Sequence, residues 1–166
     1  GDMDLYVASG GNEFEPNSLL YTDRLYENIN GSFVNRPDLL PELTISTSKV
    51  IPFDFDQDGD KDLFIGGRHI PHNYPAPASS ALLENQNGKF VDITSDIIPQ
   101  LDSIGLVTDA VWTDYDGDDD IDLLVVGEWM APVLFENSNG YFRKTLSIDE
   151  LTGWYFSVNA VDVDAY

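Results

Sequence analysis

The sequence has no cysteine. Disulfides, thiolate metal sites and a cysteine nucleophile are therefore excluded, while the compartment stays open, because secreted proteins can do without disulfides. Basic residues are scarce: 8 Lys and Arg stand against 30 Asp and Glu in 166 residues, for a formal charge of −22. Nucleic acid needs clustered Lys and Arg to neutralise phosphate, and an anionic membrane surface needs the same, so neither is expected as a partner. No apolar run approaches the length of a membrane span, so membrane insertion is not expected of this segment. No secretory leader is visible, and no segment has convincing helical periodicity. What is present is a chain 42 % hydrophobic, enough for the core of one ordinary domain. A charge this large repels itself in a compact state, which points to bound cations.

Repeats organise the chain. Asp54-Phe55-Asp56-Gln57-Asp58-Gly59-Asp60-Lys61-Asp62-Leu63 recurs 60 residues later as Asp114-Tyr115-Asp116-Gly117-Asp118-Asp119-Asp120-Ile121-Asp122-Leu123. Gly1-Asp2-Met3-Asp4-Leu5 reads as the back half of this motif and Asp162-Val163-Asp164 as its front half. The chain is thus expected to begin and end inside repeats. A second marker alternates with the first: Leu25-Tyr26-Glu27-Asn28-Ile29-Asn30-Gly31-Ser32-Phe33, Leu82 to Phe90 and Leu134 to Phe142 all carry Glu-Asn-x-Asn-Gly. Asn-Gly between apolar runs signals a type I′ hairpin, whose two central residues both need positive φ.

Each unit reads as four short strands. Strand A is expected over Ser48–Phe53, Val107–Thr113 and Tyr155–Val161, and strand B over Asp4–Ala8, Asp62–Gly66 and Asp122–Val126. Strand C is expected over Arg24–Glu27, Ala81–Glu84 and Pro132–Glu136, and strand D starts at Phe33, Phe90 and Phe142. Strand B is continuously apolar, as suits a strand buried on both faces. Four-stranded units at this spacing fit the blades of an all-β propeller. The expected division is a partial blade over 1–46 (strands B–D), blades over 47–104 and 105–152, and the start of another over 153–166. So few blades do not close a propeller. The remaining blades are therefore expected partners.

The aspartate loops carry the chemistry. Clustered carboxylates repel one another unless a cation sits among them. Ca²⁺ takes about 6–8 oxygen ligands, and alternate residues of a tight loop can face one centre. The first loop would supply Asp54, Asp56, Asp58 and Asp62 through side chains and Asp60 through its carbonyl. The second would supply Asp114, Asp116, Asp118 and Asp122, with the carbonyl of Asp120. Gly59 at position 6 permits the turn; the second loop has Asp119 there and Gly117 at position 4, so its geometry departs from the first. Mg²⁺ prefers fewer carboxylates and more waters, and Zn²⁺ wants His or Cys. The helix–loop–helix calcium site is excluded, because it requires Glu at position 12 where this chain has Ile65 or Val125. An acidic solvated turn without metal is the competing reading. Two spaced copies weigh against it, and the two loops hold 11 of the 30 acidic residues. The half sites at Asp2/Asp4 and Asp162/Asp164 are expected to be empty or distorted.

At these residues the chain resembles the FG-GAP/VCBS repeat family, whose members are calcium-binding β-propellers. Further features resemble the bacterial branch associated with the ASPIC/UnbV domain: Tyr21-Thr22-Asp23-Arg24, then Gly66-Gly67-Arg68 with Pro71 and Tyr74-Pro75, then Glu128-Trp129-Met130 and Gly153-Trp154. The resemblance implies an extracellular or cell-surface location, with the bacterial outer membrane as the expected site, and a binding or scaffolding role without a reaction.

The B–C connections form the face opposite the Asp loops and are long at 9–22 and 67–79, as binding loops often are. The candidate ligand-binding residues are Arg68, His69, Tyr74 and Trp129. His69-x-x-His72 has no evident third metal ligand and reads more simply as two polar loop residues. Trp129 reads either as packing between blades or as a platform for a sugar ring. Trp112 and Trp154 read as structural. No catalytic residues are expected, since the clustered carboxylates are explained by the metal loops and no nucleophile triad or phosphate loop is evident. The expected function is a non-catalytic module of a surface or secreted propeller that recognises a protein or glycan. The alternatives are a component of a glycan-degrading enzyme and an accessory subunit of an outer-membrane complex.

Overall fold

The computed structural model describes residues 2–147 and 151–164. They form three antiparallel sheets. The first contains β1 (Leu5–Val7), β2 (Arg24–Ile29) and β3 (Ser32–Asn35) in that order. The second contains β4 (Ser46–Phe53), β5 (Asp62–His69), β6 (Ala81–Gln86) and β7 (Lys89–Asp92), also in chain order. The third repeats the pattern with β8 (Leu106–Thr113), β9 (Asp122–Met130), β10 (Val133–Ser138) and β11 (Tyr141–Ser147), and β12 (Gly153–Trp154) pairs with the end of β9. Within β1–β3, β4–β7 and β8–β11 each strand thus neighbours its chain successor, the up-and-down order of a propeller blade.

The C–D hairpins turn at Asn30-Gly31, Asn87-Gly88 and Asn139-Gly140. All six residues have positive φ, from 52° to 90°, as the type I′ turn requires. Sheet stacking explains the apolar strand B. On β5, Leu63 and Ile65 pack towards the first sheet with Tyr6, Leu43 and Ile45. Phe64, on the other face, packs with Val107, Leu123, Val125 and Phe135 of the third sheet. A strand sandwiched between two sheets has no solvent face and needs no polar alternation. Asp23 fastens the first sheet to the second, accepting from Ser9 N at 2.6 Å, Tyr6 Oη at 2.8 Å and Thr47 Oγ1 at 2.9 Å. Its burial raises its pKa.

Two expectations fail. A single-turn helix, α1 (Thr94–Ile97), and the following 3-10 turn Pro99–Ser103 lie in the D–A connection, and further 3-10 turns occur at Leu19–Tyr21 and Pro37–Leu39. One turn is too short to show a 3.6-residue period. It is fixed by tertiary contacts: the fully buried Ile98 and Leu101 belong to the core between the second and third sheets, and Asp92 Oδ1 accepts the Thr94 N–H at 3.0 Å. The second failure is Tyr155–Val161, which forms no strand. In the second and third sheets strand A is held by pairing with its own strand B, and the described part of this segment makes no such pairing. This segment is tied to the third sheet instead, through Tyr155 N to Gly127 O at 3.1 Å and Val158 N to Asp109 Oδ2 at 3.0 Å.

Candidate metal centre

Residues 54–61 join β4 to β5, and residues 114–121 join β8 to β9. Aspartate side chains fold each loop by capping its own amides, as Asx turns do. In the first, Asp54 Oδ2 accepts Gly59 N at 3.1 Å, Asp56 Oδ1 accepts Asp58 N at 3.2 Å and Asp58 Oδ1 accepts Asp60 N at 2.8 Å. In the second, Asp114 accepts Gly117 N at 2.7 Å and Asp119 N at 3.2 Å, and Asp118 accepts Asp120 N at 2.9 Å.

Both loops have left-handed residues at positions 4 and 6. In the first these are Gln57 (φ 62°) and Gly59 (φ 99°); in the second they are Gly117 (φ 80°) and Asp119 (φ 72°). The glycine has exchanged places with a polar residue while the backbone path keeps both left-handed turns. Asp119 is tolerated there because a short polar side chain enters this region more easily than most.

Carboxylate oxygens of Asp54, Asp56 and Asp58 lie within 4.8 Å of one another, and so do those of Asp114, Asp116 and Asp122. Three convergent carboxylates form a hard, all-oxygen donor set. Asp54 Oδ1 is buried and has no hydrogen-bond partner. A buried anionic oxygen without a donor is costly, so the first loop fits a cation on the side that Asp54 Oδ1 faces. Burial, then repulsion from neighbouring aspartates, raises the pKa of Asp56 and of Asp116.

The structure distributes the expected ligands unequally. Asp62 lies outside the first triad, whereas its counterpart Asp122 joins the second; Asp118 lies outside the second triad, whereas its counterpart Asp58 joins the first. Asp62 and Asp122 are buried behind the loops. Asp62 accepts Phe55 N at 3.1 Å and Asn85 N at 2.8 Å. Asp122 accepts Tyr115 N at 3.0 Å and Asn137 N at 2.8 Å. Burial pushes the Asp62 carboxyl up to about 6, opposed by those two amides and reinforced by repulsion from Asp56 and Asp58; the Asp122 carboxyl moves in the same direction for the same first reason. Asp60 follows Asp58 in the loop and donates its amide to it. The Asp120 side chain is a bridge, accepting Gln57 Nε2 of the first loop at 3.1 Å and Asn139 N at 2.8 Å. Of the half motifs, Asp4 accepts Asn28 N at 2.8 Å and Asp162 accepts Asp164 N at 3.1 Å.

The asparagine of Glu-Asn-x-Asn-Gly has a role that the hairpin signal alone does not reveal. Asn28, Asn85 and Asn137 each present their amide to the last aspartate of the loop beside them and accept the hairpin glycine N–H, at 2.8, 2.7 and 2.8 Å. Their side-chain amides reach back to Met3 O, Lys61 O and Ile121 O. Asn137 additionally donates to Phe55 O of the first loop at 3.0 Å. The two recurring motifs are therefore one hydrogen-bonded unit. The available sequence signal was the asparagine's fixed place in all three hairpins.

On the opposite face, Arg68, Tyr74 and Trp129 come together and His69 does not. Arg68 Nη2 pairs with the buried Glu128 Oε1 at 2.5 Å. Tyr74 Oη donates to Glu128 Oε2 at 3.2 Å and accepts from Trp129 Nε1 at 2.6 Å. His69 Nε2 lies 3.0 Å from Gly11 O, and the residue lines a separate cleft of about 710 Å³ with Pro16, Glu42, Pro71, Ser79 and Asp102. Among the described residues neither His69 nor His72 belongs to a group able to hold a metal. Trp112 is partly buried and stacks on Phe53 with centroids 5.5 Å apart. Glu128 and Trp154 are the members of this cluster that the sequence reading did not place at a binding site.

The three antiparallel sheets, each in up-and-down order, fit a segment of an all-β propeller. Residues 1–65 match the family model of the FG-GAP-like repeat. No curated protein matches the chain. Among the described residues, no helix is long and apolar enough to cross a membrane, which has no bearing on β-barrels.

Proposed function

We propose that this chain is a non-catalytic, calcium-binding recognition module of an extracellular or cell-surface propeller. The observation that carries the reading is the buried, unpartnered Asp54 Oδ1 beside two further convergent carboxylates. Asp54, Asp56 and Asp58 would hold one ion, and Asp114, Asp116 and Asp122 the other. Ca²⁺ suits these sites because it accepts many carboxylate oxygens in irregular geometry, whereas Mg²⁺ retains waters. Bound there it would neutralise the like charges and brace the A–B turn. Repeats of the matched kind often bind calcium and commonly stand outside the cell, which supports both the ion and the location. The remaining blades of the same propeller are its nearest partners, and a bacterial outer-membrane setting follows from the ASPIC/UnbV resemblance. No reaction is assigned, because the clustered carboxylates are taken up by the loops.

The test is a thermal melt with Ca²⁺, with Mg²⁺ and with chelator. Ligand that binds only the folded state raises its stability by mass action, about 2.7 kcal/mol at a hundredfold excess over Kd. A Ca²⁺-specific rise in Tm that shrinks in Asp58→Ala is expected. Equal melts in all three conditions would reduce the loops to acidic turns.

A further inference from the structure

We infer that Trp129, Trp154 and Tyr74 form a binding platform for an uncharged carbohydrate chain. The inference rests on the reading of the chain as a non-catalytic recognition module and names the ligand class and the site.

Three features set these rings apart. Each is more than half exposed, at 55 %, 52 % and 54 %. Trp129 is turned outward by the backbone itself: the β9–β12 register shifts between Gly153 and Trp154, and Trp129 has φ 55° while its neighbours Glu128 and Met130 are buried. A bulge commonly re-aims a side chain, and positive φ is strained for so bulky a residue. Finally, the rings are held rigid from below. Trp129 Nε1, Tyr74 Oη, Glu128 and Arg68 form one chain of hydrogen bonds and an ion pair across the second and third sheets, and Trp154 meets Trp129 edge to face with centroids 5.3 Å apart. The polar edges of Trp129 and Tyr74 are thus satisfied by the protein, and the apolar surface is left for a ligand.

The chemistry of the ligand follows. Rigid exposed aromatic rings suit the C–H face of a sugar ring, because they present wide apolar area at low entropic cost beside a polar rim. Nucleobases also stack on such rings, but the formal charge of −22 repels their phosphates. The same field excludes acidic polysaccharides. A neutral glycan meets neither obstacle.

The test titrates the full chain, loaded with Ca²⁺, with cellohexaose, xylohexaose, mannohexaose and maltohexaose, and with polygalacturonate as the anionic control. Tryptophan fluorescence is the readout, with the melt of each variant as a check on folding. A saturable change with at least one neutral oligosaccharide is expected, and none with polygalacturonate. Trp129→Ala and Trp154→Ala should each weaken binding about tenfold, the scale of removing one stacking ring. Tyr74→Phe, which keeps the ring but breaks the bridge to Glu128, should weaken it less. Absence of binding to every neutral probe overturns the inference, as does wild-type affinity in both folded alanine variants. So does shielding of Trp129 from a soluble quencher in the ligand-free full chain, which would mean that another part of the protein covers the rings. A Ca²⁺-dependent melt without sugar binding removes this inference alone; sugar binding without a Ca²⁺ response removes the metal reading alone.

Discussion

The two aspartate loops share a sequence pattern and a backbone path, yet they sit in different surroundings. The second position of the first loop, Phe55, is buried and packs on Phe142 of the third sheet with centroids 5.7 Å apart. Its counterpart Tyr115 is 47 % exposed and reaches Glu136 Oε2 at 3.2 Å. The first loop lies beneath the next hairpin, fastened by Asn137 to Phe55 O and by Asp120 to Gln57. No described sheet covers the second loop in this way. The triads differ accordingly: the first draws its third carboxylate from the exposed fifth position, the second from the buried ninth. The first loop is thus braced by the hairpin and loop of the third sheet, while the carboxylates of each triad come from its own motif.

The largest expected effect breaks the link between the loops. Asn137→Ala removes donors from two carbonyls, Phe55 O and Ile121 O, at a fully buried site. Leaving buried acceptors unpaired should cost about 3 kcal/mol in urea unfolding. Asn85→Ala, which removes the single exposed bond to Lys61 O and the cap on Gly88, should cost about 1 kcal/mol. Equal losses would mean that the cross-blade bond is without consequence.

The next effect sharpens the difference in the triads. Asp58→Ala should abolish most of the Ca²⁺ response of the first loop, whereas Asp118→Ala should reduce that of the second only slightly. Calorimetric titration of both variants checks this, and a reversed order would show that the ion does not use the triads as folded.

A third effect concerns protons. The folded-state pKa of Asp62 lies above its ordinary value, so the folded chain binds more protons than the unfolded one. In chelator, this group's stabilisation is present below 3.8 and is lost as pH rises through about 6. Metal binding runs the other way, since protons compete with the ion. Denaturation at several pH values should therefore show stability falling with pH in chelator and recovering in Ca²⁺. In Asp62→Asn the fall in chelator should be smaller.

The smallest effect tests the exchanged glycines. Asp119→Gly relieves a left-handed non-glycine residue and one negative charge, and should stabilise the chain by about 0.5–1 kcal/mol. Gln57→Gly gives the same backbone relief but loses the bond to Asp120, so its change should be closer to zero. Chemical denaturation of the two variants side by side gives the comparison.

Much of this was legible in the residues. The Asn-Gly turns, the A–B placement of the acidic loops and the two-sided burial of β5 were legible from local rules, namely positive φ at a tight turn, clustered carboxylates and continuous apolar runs. The same strand in the first sheet, β1, is exposed at Leu5 and Val7 because no described sheet covers that face. The cluster of Arg68, Tyr74 and Trp129 was anticipated as candidates without their arrangement. The single turn at Thr94–Ile97 and the absence of a strand at Tyr155–Val161 were not legible, because each depends on what packs or pairs with it.

The sequence by itself determined the blade pattern, the turns and the acidity of the loops, since these depend on residues within a few positions of one another. Only the tertiary structure decided which carboxylates converge, which loop is covered, and that Trp129 meets Tyr74 across two sheets. Those outcomes depend on contacts between residues far apart in the chain, such as Asn137 with Phe55, and on burial that no local pattern encodes.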